Sequence, residues 1–371
     1  MALIHFFIQL VFSIRLKTAP NFITFFSAVI FSYLFQSSLF AQIGGVSTFE
    51  FVNLPVSTRL VGLGGINVSS QHKDVSMFSA NPALLTDSVD QFLALNHYSY
   101  YAGVKNNQLN YARKLSNKGM WGIAVQQLSY GEFDSYDLTG MYLGTFKAND
   151  FSLGITHTRT SGPFSIGATI KYVQSNIKTY NANGLLFTIG GAFIHPEKDL
   201  KVGLVLQNFG FDFSQYTEEQ DYKMPFDARL GITFKPEMMP LRVSVTAHHL
   251  TEFLDITYDD PNVKNEVDAF GEEIDNKISF ADKLSRHFVF GGEFVFSKNL
   301  NLRVAYNFLQ RRELQVEQRK GLAGFSYGLM IRLKRFELSY SRAIQHIAGG
   351  TNIFSLAIDT NNLIKRRRVI E

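Results

Sequence analysis

Beyond residue 90 the chain alternates apolar and polar residues almost one for one. Phe226, Ala228, Leu230, Ile232 and Phe234 interleave with Asp227, Arg229, Gly231 and Thr233, and Leu302, Val304, Tyr306 with Arg303, Ala305, Asn307. The same period runs through Phe164, Ile166, Ala168, Ile170, Tyr172 and through Phe288, Phe290, Gly292, Phe294, Phe296. An amphipathic helix would space its apolar residues three and four apart, so the pattern predicts strands. Fourteen segments carry it: 92–101, 106–115, 119–130, 149–159, 163–175, 184–195, 200–209, 226–235, 240–249, 286–297, 301–310, 321–332, 335–343 and 351–359. Many have the length of a tilted transmembrane strand, about 9–11 residues.

The connections sort by parity. Those after even-numbered segments are short (116–118, 160–162, 196–199, 236–239, the Lys298-Asn299 corner and Lys334), whereas most after odd-numbered segments are long (131–148, 176–183, 210–225, 250–285, 311–320). Outer-membrane barrels pair short periplasmic turns with long outside loops. A soluble sandwich or small barrel would show the period of two as well, but has no reason to sort its loops. The fold class expected is therefore all-β: a transmembrane antiparallel β-barrel of about 14 strands spanning 91–360.

Composition supports strands and removes several chemistries. The 371 residues include 35 Phe and 16 Tyr against one Trp, and no Cys. Aromatic residues suit pleated surfaces and interfacial girdles. Without Cys there is no disulfide frame, thiol nucleophile, Cys-ligated metal or acylated N-terminal cysteine. The net charge of +4 is modest, with much of the excess in Lys365, Arg366, Arg367 and Arg368, and no basic face points to nucleic acid. At the start, Arg15 and Lys17 precede an apolar run from Phe22 to Phe35 that ends near Ala41, a secretory pattern with cleavage expected after Ala41. Residues 1–14 are apolar too, which leaves open an uncleaved anchor or an early start codon. The domains expected are a signal peptide (1–41), a plug in the lumen (42–90), the barrel (91–360) and a basic periplasmic tail (361–371). The tail has two readings, a solvated end or a contact with lipid headgroups.

Residues 42–90 contain Phe49-Glu50-Phe51-Val52-Asn53-Leu54-Pro55-Val56-Ser57-Thr58-Arg59, then Gly64-Gly65, Asp74 and Asn81-Pro82-Ala83-Leu84. In these motifs the chain resembles the PorQ and PorV family of the type IX secretion system, itself similar to long-chain fatty-acid transporter (FadL-like) barrels. The resemblance covers the mature chain, with its specific motifs confined to 49–85. It departs at the C-terminus, where a basic tail follows the last apolar strand residue. What the resemblance implies is a non-enzymatic outer-membrane barrel of the attachment complex, holding a PorZ-like surface protein alongside PorU and PorV. A FadL-like transporter of hydrophobic ligands is the alternative. No cofactor and no metal is expected. Within the plug, Arg59, Gly64, Gly65, Asn81 and Pro82 are read as structural; partner contacts are expected in outside loops at Tyr136, Tyr142, Tyr216, Tyr222, Asp259 and Asp260, with outer-membrane lipid around the wall.

Three patterns imitate other chemistry. Gly324-Phe325-Ser326-Tyr327-Gly328 matches a nucleophile elbow, but the apolar alternation runs straight on to Ile331, where an elbow needs a helix. Ser175-Asn176-Ile177-Lys178 matches S-x-x-K without its companion motifs. His248 and His249, adjacent on a strand, are expected to point to opposite faces.

Overall fold

The computed structural model describes residues 47–115, 119–216, 223–252, 256–257, 279–314, 321–346 and 349–361. Fourteen antiparallel strands close into one barrel, β1 (Phe92–Ser99) pairing with β14 (Gly349–Asp359) and every other strand with its neighbours in sequence. The intervening strands are β2 (Lys105–Lys114), β3 (Met120–Tyr136), β4 (Tyr142–Ser161), β5 (Phe164–Ile177), β6 (Tyr180–Ile194), β7 (Asp199–Ser214) and β8 (Asp227–Lys235). They continue with β9 (Leu241–Ala247), β10 (Phe288–Ser297), β11 (Leu300–Asn307), β12 (Phe325–Leu333) and β13 (Phe336–His346). Among the described residues no helix is long and apolar enough to cross a membrane. Closure pairs every strand edge, which is what lets a sheet sit in hydrocarbon.

The alternation resolves into two faces. Leu230, Ile232, Phe234, Phe290, Leu302 and Val304 point out and are exposed, while Arg229, Thr233, Arg303 and Glu293 point in and are buried. An exposed aliphatic and aromatic belt over inward rows that bury Arg, Glu and Thr side chains reverses the soluble pattern. The chain is a transmembrane barrel with an N-terminal plug.

Several expected boundaries shift. The 131–148 stretch, read as a loop, is a continuation of β3 and β4, which run for 17 and 20 residues. Only about 9–11 residues are needed to cross, so this hairpin projects beyond the belt. Its sequence hid the extension because Gly131, Gly140 and Gly144 interrupt the alternation, all three with positive φ. The eleventh strand stops at Asn307, and Phe308–Leu314 is helical. The ninth stops at Ala247, because His249 takes φ 52° and turns the chain.

The plug, from Ser47 to Gln91, fills the lumen with one short helix, Thr58–Gly62, and four 3₁₀ turns at Glu50–Asn53, Val75–Ser79, Pro82–Leu84 and Asp87–Val89. The helix packs against β11 to β14, the Val75–Ser79 turn against β1 and β2, and the Pro82–Leu84 turn against β4 to β6. It therefore touches opposite walls. Its apolar residues form contiguous clusters with the wall, such as Val75, Phe78, Leu85 and Val89 against Ala94, Ala112 and Met120. Small inward residues let it approach: a Cβ on Gly203 would lie 2.0 Å from the Val68 carbonyl oxygen.

Candidate functional site

The plug is fastened to the wall by charge. Ser57 caps the short helix, its hydroxyl accepting from the Leu60 amide at 3.2 Å, and so fixes Arg59 in the first turn. The Arg59 guanidinium, 1% exposed, donates to Glu293 Oε1 on β10 at 2.9 Å and lies 3.4 Å from Asp74, also in the plug. Glu293 accepts as well from Arg242 on β9 at 2.5 Å and from Arg303 on β11 at 3.1 Å. The register brings these together, since Glu293 is the direct cross-strand partner of both Arg242 and Arg303. Arg242 reaches on to Asp199 at 3.0 Å, which also pairs with Lys201 at 3.3 Å. One carboxylate thus receives three guanidinium groups, one from the plug and two from the wall.

Burial works against the Arg59 charge, and Glu293 and Asp74 outweigh it, leaving its pKa above the ordinary arginine value. His72 sits beside the same cluster with Nε2 3.3 Å from Arg242 Nη1. Burial, then the Arg59 and Arg242 charges, push its pKa down to about 3, so the neutral ring faces the arginines.

The remaining motif residues shape the plug backbone. Gly64 and Gly65 take φ 90° and 87°, and a Cβ on Gly64 would stand 2.4 Å from Val289 Cγ1. Asn81 is fully buried: its Oδ1 accepts from the Ala83 amide at 3.0 Å, and its Nδ2 donates to the carbonyls of Val68 at 2.8 Å and Gly191 at 3.3 Å. Pro82 follows at the first position of its 3₁₀ turn. Between plug and wall is a cavity of about 40 Å³, touched by Asn53, Leu60, Gln108, Lys171, Gln207 and Arg229. Its lining is mixed, Gln126, Thr156 and Thr188 standing among Val52, Leu54, Val56 and Phe78.

The proposed partner residues scatter. Tyr136 and Tyr142 face each other across the projecting hairpin, ring centroids 5.7 Å apart, one step beyond the stacked Phe133 and Phe146. At the hairpin tip Asp137 accepts from the amides of Thr139 and Met141, both at 2.8 Å. Hydrogen bonds from Thr139 and Met141 hold its carboxyl below the usual range. Tyr216 lies elsewhere, half-buried over the cluster of Phe49, Phe51 and Leu186. Tyr222, Asp259, Asp260 and residues 365–368 fall outside the described residues, as do residues 1–41 and most of the acidic 250–285 stretch.

The lookalike motifs take ordinary places. Ser326 is buried on the inner face of β12, which continues as a strand to Leu333. Ser175 lies on β5 and donates to Asp150, and Lys178 turns to Ser135 at 2.8 Å. The histidines correct the expectation: the turn at His249 brings the two Nδ1 atoms to 2.6 Å instead of opposite faces. Among the described residues no group of three or more His, Asp or Glu is placed to hold a metal ion.

On the outer wall, a groove of about 660 Å³ crosses β1, β2, β3, β12, β13 and β14. Leu95, Leu109, Val125, Ile331, Leu338 and Leu356 are among the residues along it, with His97, Asn107 and Gln127 together at one side. Sequence reading missed both this groove and the Glu293 cluster. The signal for the cluster was present, in charged residues of both signs on inward-facing positions.

No family model and no curated protein matches the chain. Solved barrels do. The Ralstonia pickettii toluene transporter TbuX aligns at 10% identity over 85% of this chain and 98% of its own, with a TM-score of 0.47. The P. putida toluene transporter TodX aligns at 11% identity over 82% and 96%, TM-score 0.44. A Pseudomonas aeruginosa FadL homologue aligns at 13% identity over 81% and 97%, TM-score 0.42.

Proposed function

We propose that the chain is a plugged, non-enzymatic barrel of the Gram-negative outer membrane that works as an anchor in the type IX attachment complex, on the PorQ side of the PorQ and PorV family. The observation that carries this reading is the plug seated across the lumen. Three residues of the L-P-x-S-x-R stretch have a part in seating the plug: Pro55 flanks Gly65, Ser57 caps the helix, and Arg59 ties the helix to Glu293. With the plug seated against opposite walls of the lumen, function moves to the ends and the outer wall. The projecting hairpin, with Tyr136, Tyr142 and the fully exposed Leu138, is a rigid aromatic knob of the kind that anchors protein contacts. A PorZ-like surface protein is the partner assigned to it, with PorU and PorV in the same assembly. Deleting the gene should release that surface protein from the cells and stop cargo processing; a partner still attached in the deletion strain would refute the anchor.

Uptake of a hydrophobic ligand, as by the toluene transporters above, is the second reading. The groove favours it, since an apolar ligand leaving a barrel sideways needs an aliphatic wall to enter the bilayer. Loss of growth on, or of uptake of, an apolar substrate in the deletion strain, with the surface partner retained, would decide for it.

A further inference from the structure

Most charged side chains that point into the lumen have a partner of opposite sign. Glu293 pairs with Arg59, Arg242 and Arg303, Asp199 with Lys201, Glu337 with Arg332, and Asp227 with Arg229. Lys171 on β5 has none. It stands between Thr169 and Val173, both buried on the inner face, while Ile170 and Tyr172 are exposed on the outer one. Its cross-strand neighbours are Gly154 on β4 and Leu186 on β6, and neither carries a charge. Among the described residues its ammonium donates to Asn208 Oδ1 at 3.3 Å and meets no carboxylate.

Lys171 borders the cavity between plug and wall, and so does Arg229 on β8. Arg229 is 7% exposed; its Nε donates to Asp227 Oδ2 at 2.6 Å, and its two Nη groups make no hydrogen bond among the described residues. No described residue along the cavity is an acid. Glu50 of the plug is engaged by Ser47 and Asn53 and does not border it. With Asp227 counted, two cations face one carboxylate, so the cavity is one negative charge short. A charge held away from bulk water is costly unless something pairs with it. The volume of about 40 Å³ is several times the ~10–15 Å³ that one water requires. An ion fits.

We infer that this cavity holds a single halide ion, chloride, between Lys171 and Arg229. The deficit of one charge calls for a monoanion. Thr188 is a further donor, since its Oγ1 accepts from the Asn208 amide at 3.3 Å and keeps its own proton to give. The donors come from the wall, whereas the plug side offers Val52, Leu54, Val56 and Phe78. A sulfate or phosphate has oxygens on every side, and those turned to the plug would go without donors. A halide needs few donors and tolerates apolar contact on its other side. The ion would sit beside a second fastening of the plug, where Asn53 Oδ1 accepts from Asn208 at 2.8 Å and from Gln207 at 3.1 Å. Asn208 joins that contact to Lys171. The inference rests on the lumen and is independent of both functional readings above.

The test uses the full chain folded in detergent. Crystals grown in sodium bromide should show an anomalous bromine peak within hydrogen-bonding reach of Lys171 Nζ and the Arg229 guanidinium, and Lys171→Met should lose it. In solution, chloride or bromide should raise the denaturant midpoint relative to gluconate at equal ionic strength. Lys171→Met should move that titration to about tenfold higher halide or beyond, as loss of a hydrogen bond to a charged group implies. In gluconate the same variant should be at least as stable as the parent, because it removes an unpaired cation. Lys171→Arg should keep the halide effect, and heat-modifiable gel migration should show both barrels intact. A bromine peak absent from the parent, or one that persists in Lys171→Met, would overturn the site. So would stabilisation by acetate or sulfate equal to that by chloride, or a halide titration that Lys171→Met leaves unchanged.

Discussion

Replacing Glu293 by Gln tests whether charge holds the plug. The change keeps the shape and one acceptor oxygen and removes the negative charge at the centre of the cluster. Around it stand four cations, Arg59, Arg242, Arg303 and Lys201, and three carboxylates, Glu293, Asp74 and Asp199, a balance of +1 that becomes +2 in the variant. Each contact is worth about 4 kcal/mol of Coulomb energy at 4 Å and an effective dielectric of ~20. Desolvation cancels much of that sum, and breaking a buried pair by removing one partner costs about 3–5 kcal/mol. Since Gln still accepts one hydrogen bond, the lower end, about 3 kcal/mol, is the expected loss. The assay is trypsin cleavage after Arg59, which is 1% exposed and protected while the plug is seated. When opening is fast relative to cutting, cleavage follows the open population, and 3 kcal/mol raises it by about a hundredfold. A double-mutant cycle with Arg59→Met, read as denaturant midpoint because that variant has no Arg59 to cut, isolates the part of the loss that links plug to wall. Cleavage within twofold of the parent would mean that apolar packing alone seats the plug and that the ion cluster is incidental.

The other plug contacts predict graded effects. His72 has a folded pKa of about 3 against an ordinary value of 6.5, so its contribution is complete above 6.5 and is lost as pH falls towards 3. Trypsin-independent protease sensitivity of the plug should therefore rise between pH 6.5 and 4, and His72→Gln should flatten that rise; an identical pH profile in the variant would refute it. Asn81→Ala leaves the Val68 carbonyl buried without its donor and should cost about 1–3 kcal/mol, read as a shift in denaturant midpoint. Gly203→Ala should do at least as much, because its Cβ has 2.0 Å to the Val68 oxygen. Tyr136→Ser with Tyr142→Ser should leave barrel migration unchanged and weaken partner capture at least tenfold; unchanged capture would move the docking surface off this hairpin.

The barrel was legible because alternation is a direct image of two-faced burial. Where it continued, strand positions fell within a few residues; where glycines broke it, as at Gly131 and Gly144, the projecting hairpin passed for a loop. The motifs drew attention to Arg59 and Asn81 as residues of one segment. Their partners were invisible, since Glu293 and Arg59 lie 234 residues apart and meet only through barrel closure. His249 escaped for a local reason: a positive φ in a non-glycine residue has no reliable signature in one sequence.

The seated plug has a further electrical consequence. A fourteen-strand barrel encloses more than its own side chains fill, and here the balance is occupied by residues 47–91. The full chain in a planar bilayer should therefore pass no steady current. Removing the plug residues should open the lumen, while Glu293→Gln, which loosens one fastening and leaves the apolar contacts at Phe78, Leu85 and Met77, should give brief openings only. The rows then conducting would carry Arg229, Arg242 and Arg303 against Glu293 and Asp227, a mixed lining that gives little selectivity by sign. Steady conductance in the intact chain would show that the plug leaves a continuous path, and with it would fall the argument that function has been displaced to the hairpin and the outer wall.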